Sequence, residues 1–153
     1  TYDEIMEWMK KYFATLYDNA ESADHGHLDA YFAPDLEFIP YTYVFGGPGN
    51  AIKSRQAFYD MLTSHPEDYE QFVLHDIFVD EKKMVSVAFL QTTVYDAATN
   101  EVKVQKEYLP LYELILDEEG ALKIKTIRFF WEASPPEVDA AYTVDKMKSK
   151  WRA

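Results

Sequence analysis

Residues 101–132 read EVKVQKEYLPLYELILDEEGALKIKTIRFFWE, and this stretch decides the fold class. β-Branched and aromatic residues alternate with charged ones, and the run is cut once by Asp117-Glu118-Glu119-Gly120. Such a period-two pattern predicts two long strands, at about 101–117 and 121–132. A connector so short makes them antiparallel neighbours. Working back, 70–80 and 83–96 have the same strand character, separated by Asp80-Glu81-Lys82-Lys83 and followed by the turn material Asp96 to Asn100.

Upstream of this meander the period changes. Ile5, Trp8, Met9, Tyr12, Phe13, Leu16 and Ala20 recur at helical spacing, with Glu4, Glu7, Lys10 and Lys11 elsewhere, so about 2–20 is an amphipathic helix. A second, shorter helix is expected around Leu28–Phe32, ended by Pro34, and a strand from Leu36 to Tyr43. The glycine cluster Gly46-Gly47-Pro48-Gly49 leads into a third helix at about 51–63, stopping before His65-Pro66. Helix, helix, strand, helix and then a meander is an α+β layout. The 153 residues fit one domain spanning 1–153, with 134–153 a C-terminal tail around Pro135-Pro136 and Lys146 to Lys150.

Alternation assigns faces to the strands. In the third long strand Tyr108, Pro110, Tyr112 and Leu114 share the face expected under the helices, and Pro110, which cannot donate to a ladder, suggests a bulge or opening. Leu109, Leu111 and Ile115 fall on the opposite face, an apolar strip that predicts a homodimer. In the last strand Ile124, Thr126, Arg128, Phe130 and Glu132 share a face unless a bulge intervenes. An Arg and a Glu among apolar neighbours need partners.

Composition narrows the function. Fifteen Lys+Arg against 27 Asp+Glu leave a formal charge of -12, which repels phosphate backbones and anionic headgroups, so neither nucleic acid nor membrane is an expected partner. No cysteine is present, which excludes disulfides, thiolate nucleophiles and cysteine-ligated zinc. No apolar run reaches the ~20 residues of a membrane span, and the acidic start lacks a signal-peptide pattern; a cytoplasmic location is expected, with a leader removed before Thr1 left open. Twelve Tyr, ten Phe and three Trp suit an aromatic-lined cavity, a bulky core or an oligomer interface equally.

The glycine cluster has neither the lysine and serine of a phosphate loop nor dinucleotide spacing, and is turn chemistry. His25, His27 and His65 lack acidic partners at ligand spacing, so no metal is called for. His75 stands mid-strand between Val73 and Ile77, as a core histidine or a catalytic one. Glu132 closes the aromatic run Phe129-Phe130-Trp131; apolar surroundings raise a carboxyl pKa toward the range a general acid/base needs, whereas a solvated strand end leaves it ordinary. Tyr17-Asp18 is either a pair at a cavity mouth or a helix terminus, and Tyr12, on the buried stripe, needs a partner for its hydroxyl.

Tyr31-Phe32-Ala33-Pro34-Asp35 before the first strand, the element order, and Gly120-Ala121-Leu122 followed by Arg128-Phe129-Phe130-Trp131-Glu132 together resemble the NTF2-like superfamily in its SnoaL-like branch, over about residues 5–133. The resemblance implies a cystatin-like cone: a curved, mostly antiparallel sheet with three helices enclosing a cavity. Met9-Lys10-Lys11-Tyr12 is similar to the ketosteroid isomerase segment that presents an oxyanion-donating tyrosine. Glu132 resembles the water-activating acid of limonene-epoxide-hydrolase-like proteins, and Tyr17-Asp18 with His75 resembles the scytalone-dehydratase-like set. Fungal isomerases and cyclases are similar in combining a terminal-strand glutamate with cavity tyrosines, a pattern that Tyr108, Tyr112 and Glu132 suit.

The expectation is a cofactor-independent isomerase, cyclase or dehydratase acting on a hydrophobic, polycyclic small molecule of secondary metabolism. Glu132, His75, Asp18 and Tyr17 are the expected catalytic residues. Tyr12, Tyr41, Tyr95, Tyr108, Tyr112, Arg128 and Phe130 are expected to contact substrate. The alternative is a non-catalytic module that binds a lipophilic ligand or a protein partner.

Overall fold

The computed structural model describes residues 1–41 and 48–130. Helix α1 (Tyr2–Asp18) begins with a capping box: the Thr1 hydroxyl accepts from the Glu4 amide while the Glu4 carboxylate turns back on the cap, and Asp3 and Glu4 sit where the helix dipole favours acids. Its buried residues, Ile5, Met9, Tyr12 and Phe13, belong to the stripe read from the spacing.

The expected second helix is instead a single 3₁₀ turn, Gly26–Ala30, and the first strand starts early, as β1 (Phe32–Tyr41). Phe32 and Ala33 are both buried and go to the core as strand residues rather than as a helical turn. Pro34 therefore ends no helix. It falls where the β1 register shifts, between Phe32 and Glu37, and an irregular ladder tolerates a residue without an N–H. The 3₁₀ turn is held to the next helix by Asp29, whose carboxylate accepts from the Tyr59 hydroxyl at 2.8 Å and faces Arg55 Nε at 3.3 Å.

A two-residue strand, β2 (Ile52–Lys53), occupies the expected start of the last helix, so α2 (Arg55–Thr63) begins later, with the Ser54 hydroxyl accepting from the Ala57 amide. Strands β3 (Asp68–Asp80) and β4 (Val85–Asp96) follow as expected. The single strand expected over 101–117 is two, β5 (Val102–Tyr108) and β6 (Leu111–Leu116), because Leu109-Pro110 bends the chain between them. Both halves pair with β4, and the buried Pro110 keeps its carbonyl in use, accepting from the Ala88 amide at 3.1 Å. Strand β7 (Leu122–Phe130) closes the sheet, whose order is β2-β1-β7-β6-β4-β3 with β5 beside the far half of β4. Among the described residues only β1 and β7 run parallel.

Two α-helices, rather than the three expected, lie with a curved, open, mixed sheet among the described residues. The core forms between α1 and the inner sheet face, where Met9, Leu36 and Ile124 have no exposed surface and Phe32 and Leu90 almost none. Burying each such side chain is worth about 1.5–3 kcal/mol. Among the described residues no helix is long and apolar enough to cross a membrane. The tail at 134–153 lies outside the described residues.

Candidate active site on the inner sheet face

Registers decide which side chains share the inner face. Across β3, β4 and β5 three rows run side by side: Leu74, Leu90 and Tyr108; then Phe72, Thr92 and Lys106; then Glu70, Val94 and Val104. The first row continues the closed core, since Leu90 and Tyr108 are buried. The second is half-buried at its two ends, and the third opens further, with Glu70 and Val104 exposed. The inner face thus grades from a packed floor to an open end, and Glu70 stands in the open row.

Glu70 is accessible as a residue, yet protein crowds its carboxyl. Loss of hydration raises its pKa above the ordinary 4.5, and the negative charge of Asp68 on the same strand adds to this. The Tyr108 phenol is raised as well, first by burial and then by the charge of Glu70, which puts the two groups within electrostatic reach. The Tyr108 ring packs on Phe129 at 5.1 Å, Phe129 on Phe38 at 5.8 Å, and Phe38 on Phe58 at 5.0 Å. A carboxyl that holds its proton to higher pH, within electrostatic reach of a phenol on the same sheet face, can move a proton on a bound organic molecule.

The other expected site residues are distributed differently. Tyr12 and Tyr112 lie on the inner face but deep in the floor, 3% and 2% exposed, with rings 5.7 Å apart. Burial raises both phenols, and each hydroxyl interacts with the other, which answers the partner question posed for Tyr12. Arg128 and Phe130 occupy the outer face, not the inward face that simple alternation from Ile124 assigns. The reason is a bulge: Leu114 pairs with Ile124 but Glu113 with Thr126, so Lys125 is an extra residue that moves Ile127 and Phe129 inward and their neighbours outward. There Arg128 donates to Glu113 at 3.0 Å and to the Tyr41 hydroxyl at 2.8 Å, and Tyr41 stacks on Phe130 at 4.4 Å. The arginine that needed a partner has two.

His75 is likewise a bulge residue, between the Leu74–Leu90 and Asp76–Phe89 pairs, so Val73 lies on the outer face but Ile77 on the inner one, and the two do not flank His75 on one face. It is exposed and lies 5.0 Å from the outer-face ring of Phe89. Tyr95 stacks on Tyr69 at 5.0 Å, also on the outer face. Tyr17 and Asp18 are exposed at the end of α1. Leu109 and Ile115 are exposed opposite the inner face, and Leu111 is half-buried. Glu132 lies outside the described residues. Of the residues named from sequence, Tyr108, Tyr12 and Tyr112 lie on the inner face, all in its closed floor; Glu70 was missed. Its signal is the run Glu70-Phe72-Leu74 on one parity, which points inward only once the pairing with β4 is known. Among the described residues no group of three or more His, Asp or Glu could hold a metal ion.

No family model and no curated protein sequence matches this chain. Solved structures do. An NTF2-like superfamily protein from Salmonella enterica aligns with a TM-score of 0.63 at 10% identity, covering 92% of this chain and 99% of its own. A protein described as a SnoaL-like polyketide cyclase from Mesorhizobium loti aligns with a TM-score of 0.51 at 20% identity, covering 82% and 98%. A protein described as an LEH-like epoxide hydrolase from Mycobacterium tuberculosis aligns with a TM-score of 0.53 at 14% identity, covering 76% of each chain. Likeness at this identity speaks for the fold alone: the chain has the NTF2-like, cystatin-like fold.

Proposed function

We propose that the protein is a cofactor-independent acid/base enzyme, an isomerase or cyclase with dehydration as the second choice, acting on a hydrophobic small molecule held against the inner sheet face. The observation that carries this is the Glu70 carboxyl, raised in pKa by its surroundings at the open end of an aromatic floor. Glu70 takes a proton from carbon beside a carbonyl, or returns it. Tyr108 donates a hydrogen bond to the oxygen on which charge develops. Phe72, Phe38 and Phe129 supply the apolar surface that positions the ligand and excludes water. Glu132, expected from the sequence to be the acid, is the competitor for the role.

The test is incubation with a panel of lipophilic polycyclic enones and hydroxyketones, read by chromatography and mass spectrometry. A retention shift at unchanged mass marks isomerisation or cyclisation, and loss of water marks dehydration. Glu70→Gln is expected to lower turnover about 10²–10⁴-fold, the usual contribution of a positioned acid/base group. A folded Glu70→Gln protein at full rate beside an inactive Glu132→Gln moves the role to Glu132. Saturable binding without product in the unmodified protein replaces the enzymatic reading with a carrier.

A further inference from the structure

A lysine on β5 sits at the rim of this site in a place that strand geometry alone does not give it. Val94 pairs with Val104 but Tyr95 pairs with Val102, so Lys103 is an extra residue at a bulge in β5. Bulges re-aim side chains. Without one, Lys103 would share the outward parity of Gln105, whose amide donates to Thr93 at 3.2 Å. Instead its ammonium reaches across the end of β4 to Asp68 on β3, and lies 3.4 Å from Asp96 on β4. Those two aspartates are direct cross-strand partners, an arrangement that repels unless a cation stands between them. Lys103 is that cation. Asp68 is two residues from Glu70 on the same face, about 7 Å along the strand.

We propose that Lys103 is a positioning residue for Glu70: by neutralising Asp68 and Asp96 at the rim, it governs how readily Glu70 releases its proton. The inference rests on the role given to Glu70 above for its catalytic meaning, but not for its electrostatics. The charged and titratable groups facing Glu70 are Asp68 on its own strand, Asp96 at the end of β4, and Lys103, Lys106 and Tyr108 on β5. Lys106 has interactions of its own. Past the end of α1, Glu21 acts on the neighbouring Tyr69. Of these, Asp68 acts on Glu70 directly, and Lys103 is the group that pairs with Asp68. Charge removed at this range moves a titration midpoint by roughly half a unit at a partly hydrated site.

The experiment is a carbon-13 NMR titration of the assigned Glu70 carboxyl in the full chain. Lys103→Met is expected to raise the midpoint by roughly half a unit, and Asp68→Asn to lower it by a similar amount. Lys103→Arg should restore the original value, because it keeps the charge. The double variant Asp68→Asn/Lys103→Met, which removes a neutral pair, should lie near the unmodified protein. A midpoint unmoved or lowered in Lys103→Met, or unmoved in Asp68→Asn, overturns the proposal. Should Lys103→Met fail to fold, Lys103→Gln, which removes the charge and keeps a polar side chain, is expected to raise the midpoint in the same way, and an unmoved midpoint there overturns the proposal. Where substrate is turned over, the acid limb of the pH profile should move with the NMR midpoint. Midpoints that shift as stated while Glu70→Gln keeps full turnover defeat the catalytic reading and leave the electrostatic one standing.

Discussion

Replacing Thr92 by Val is expected to stabilise the protein, an unusual direction for a core substitution. Thr92 is 2% exposed on the inner face of β4, and its hydroxyl has no hydrogen-bond partner among the described residues. A hydroxyl in that position costs about 1–3 kcal/mol relative to water. Valine keeps the branched shape, exchanges the oxygen for a methyl group and favours a strand. The net gain expected is about 1–2 kcal/mol, which for a chain of this length raises Tm by roughly 3–6 °C. Urea unfolding should show a higher midpoint with an unchanged slope, the signature of a stability change without altered compactness. Ser86 offers an internal control: it is also unpartnered, fully buried and on the same face, about 20 Å along the strand. Ser86→Ala should add independently to the gain at that distance. A Thr92→Val protein that is destabilised at constant slope refutes the reasoning, because the hydroxyl must then be satisfied in solution.

Glu70 also makes stability depend on pH. Its folded pKa lies above the ordinary 4.5, so between the two values the native state holds more of the proton, and stability falls as pH rises through that window. Glu70→Gln lacks this loss and should gain on the unmodified protein as pH rises above the ordinary carboxyl range; a constant gap in thermal midpoints would contradict it. Phe32, 1% exposed in the core, should cost about 3–5 kcal/mol as Phe32→Ala, against about 1 kcal/mol for Phe130→Ala on the outer face, both read from denaturant midpoints. The homodimer expected from the strip of Leu109, Leu111 and Ile115 is checked by sedimentation velocity, where a monomer at micromolar concentration removes it.

What could be read without coordinates follows from local physics. Period-two and helical spacing identified α1, β3, β4 and the strand character of the last third, because amphipathic elements write their periodicity into the chain. The acidic charge and the α+β class needed no coordinates either. Short-range competition was harder to judge. Leu28–Phe32 could serve as a helical turn or hand its bulky residues to a strand, and core packing chose the strand for Phe32.

The direction in which a side chain points was legible only where the ladder stayed regular. One extra residue reverses every face beyond it, and three such residues matter here. Lys125 turns Arg128 and Phe130 away from the inner face, His75 leaves the face on which Ile77 is buried, and Lys103 is brought across to Asp68. Tyr108 and Tyr112 kept their inward assignment because Pro110 bends the strand without changing parity. Amino-acid order alone thus determined which segments are strands and which helix carries the buried stripe, since both depend on neighbours close along the chain. Which carboxyl faces the floor was decided by the pairing of β3 with β4, where Glu70 meets Val94 from a distant part of the chain, a contact that no local pattern records.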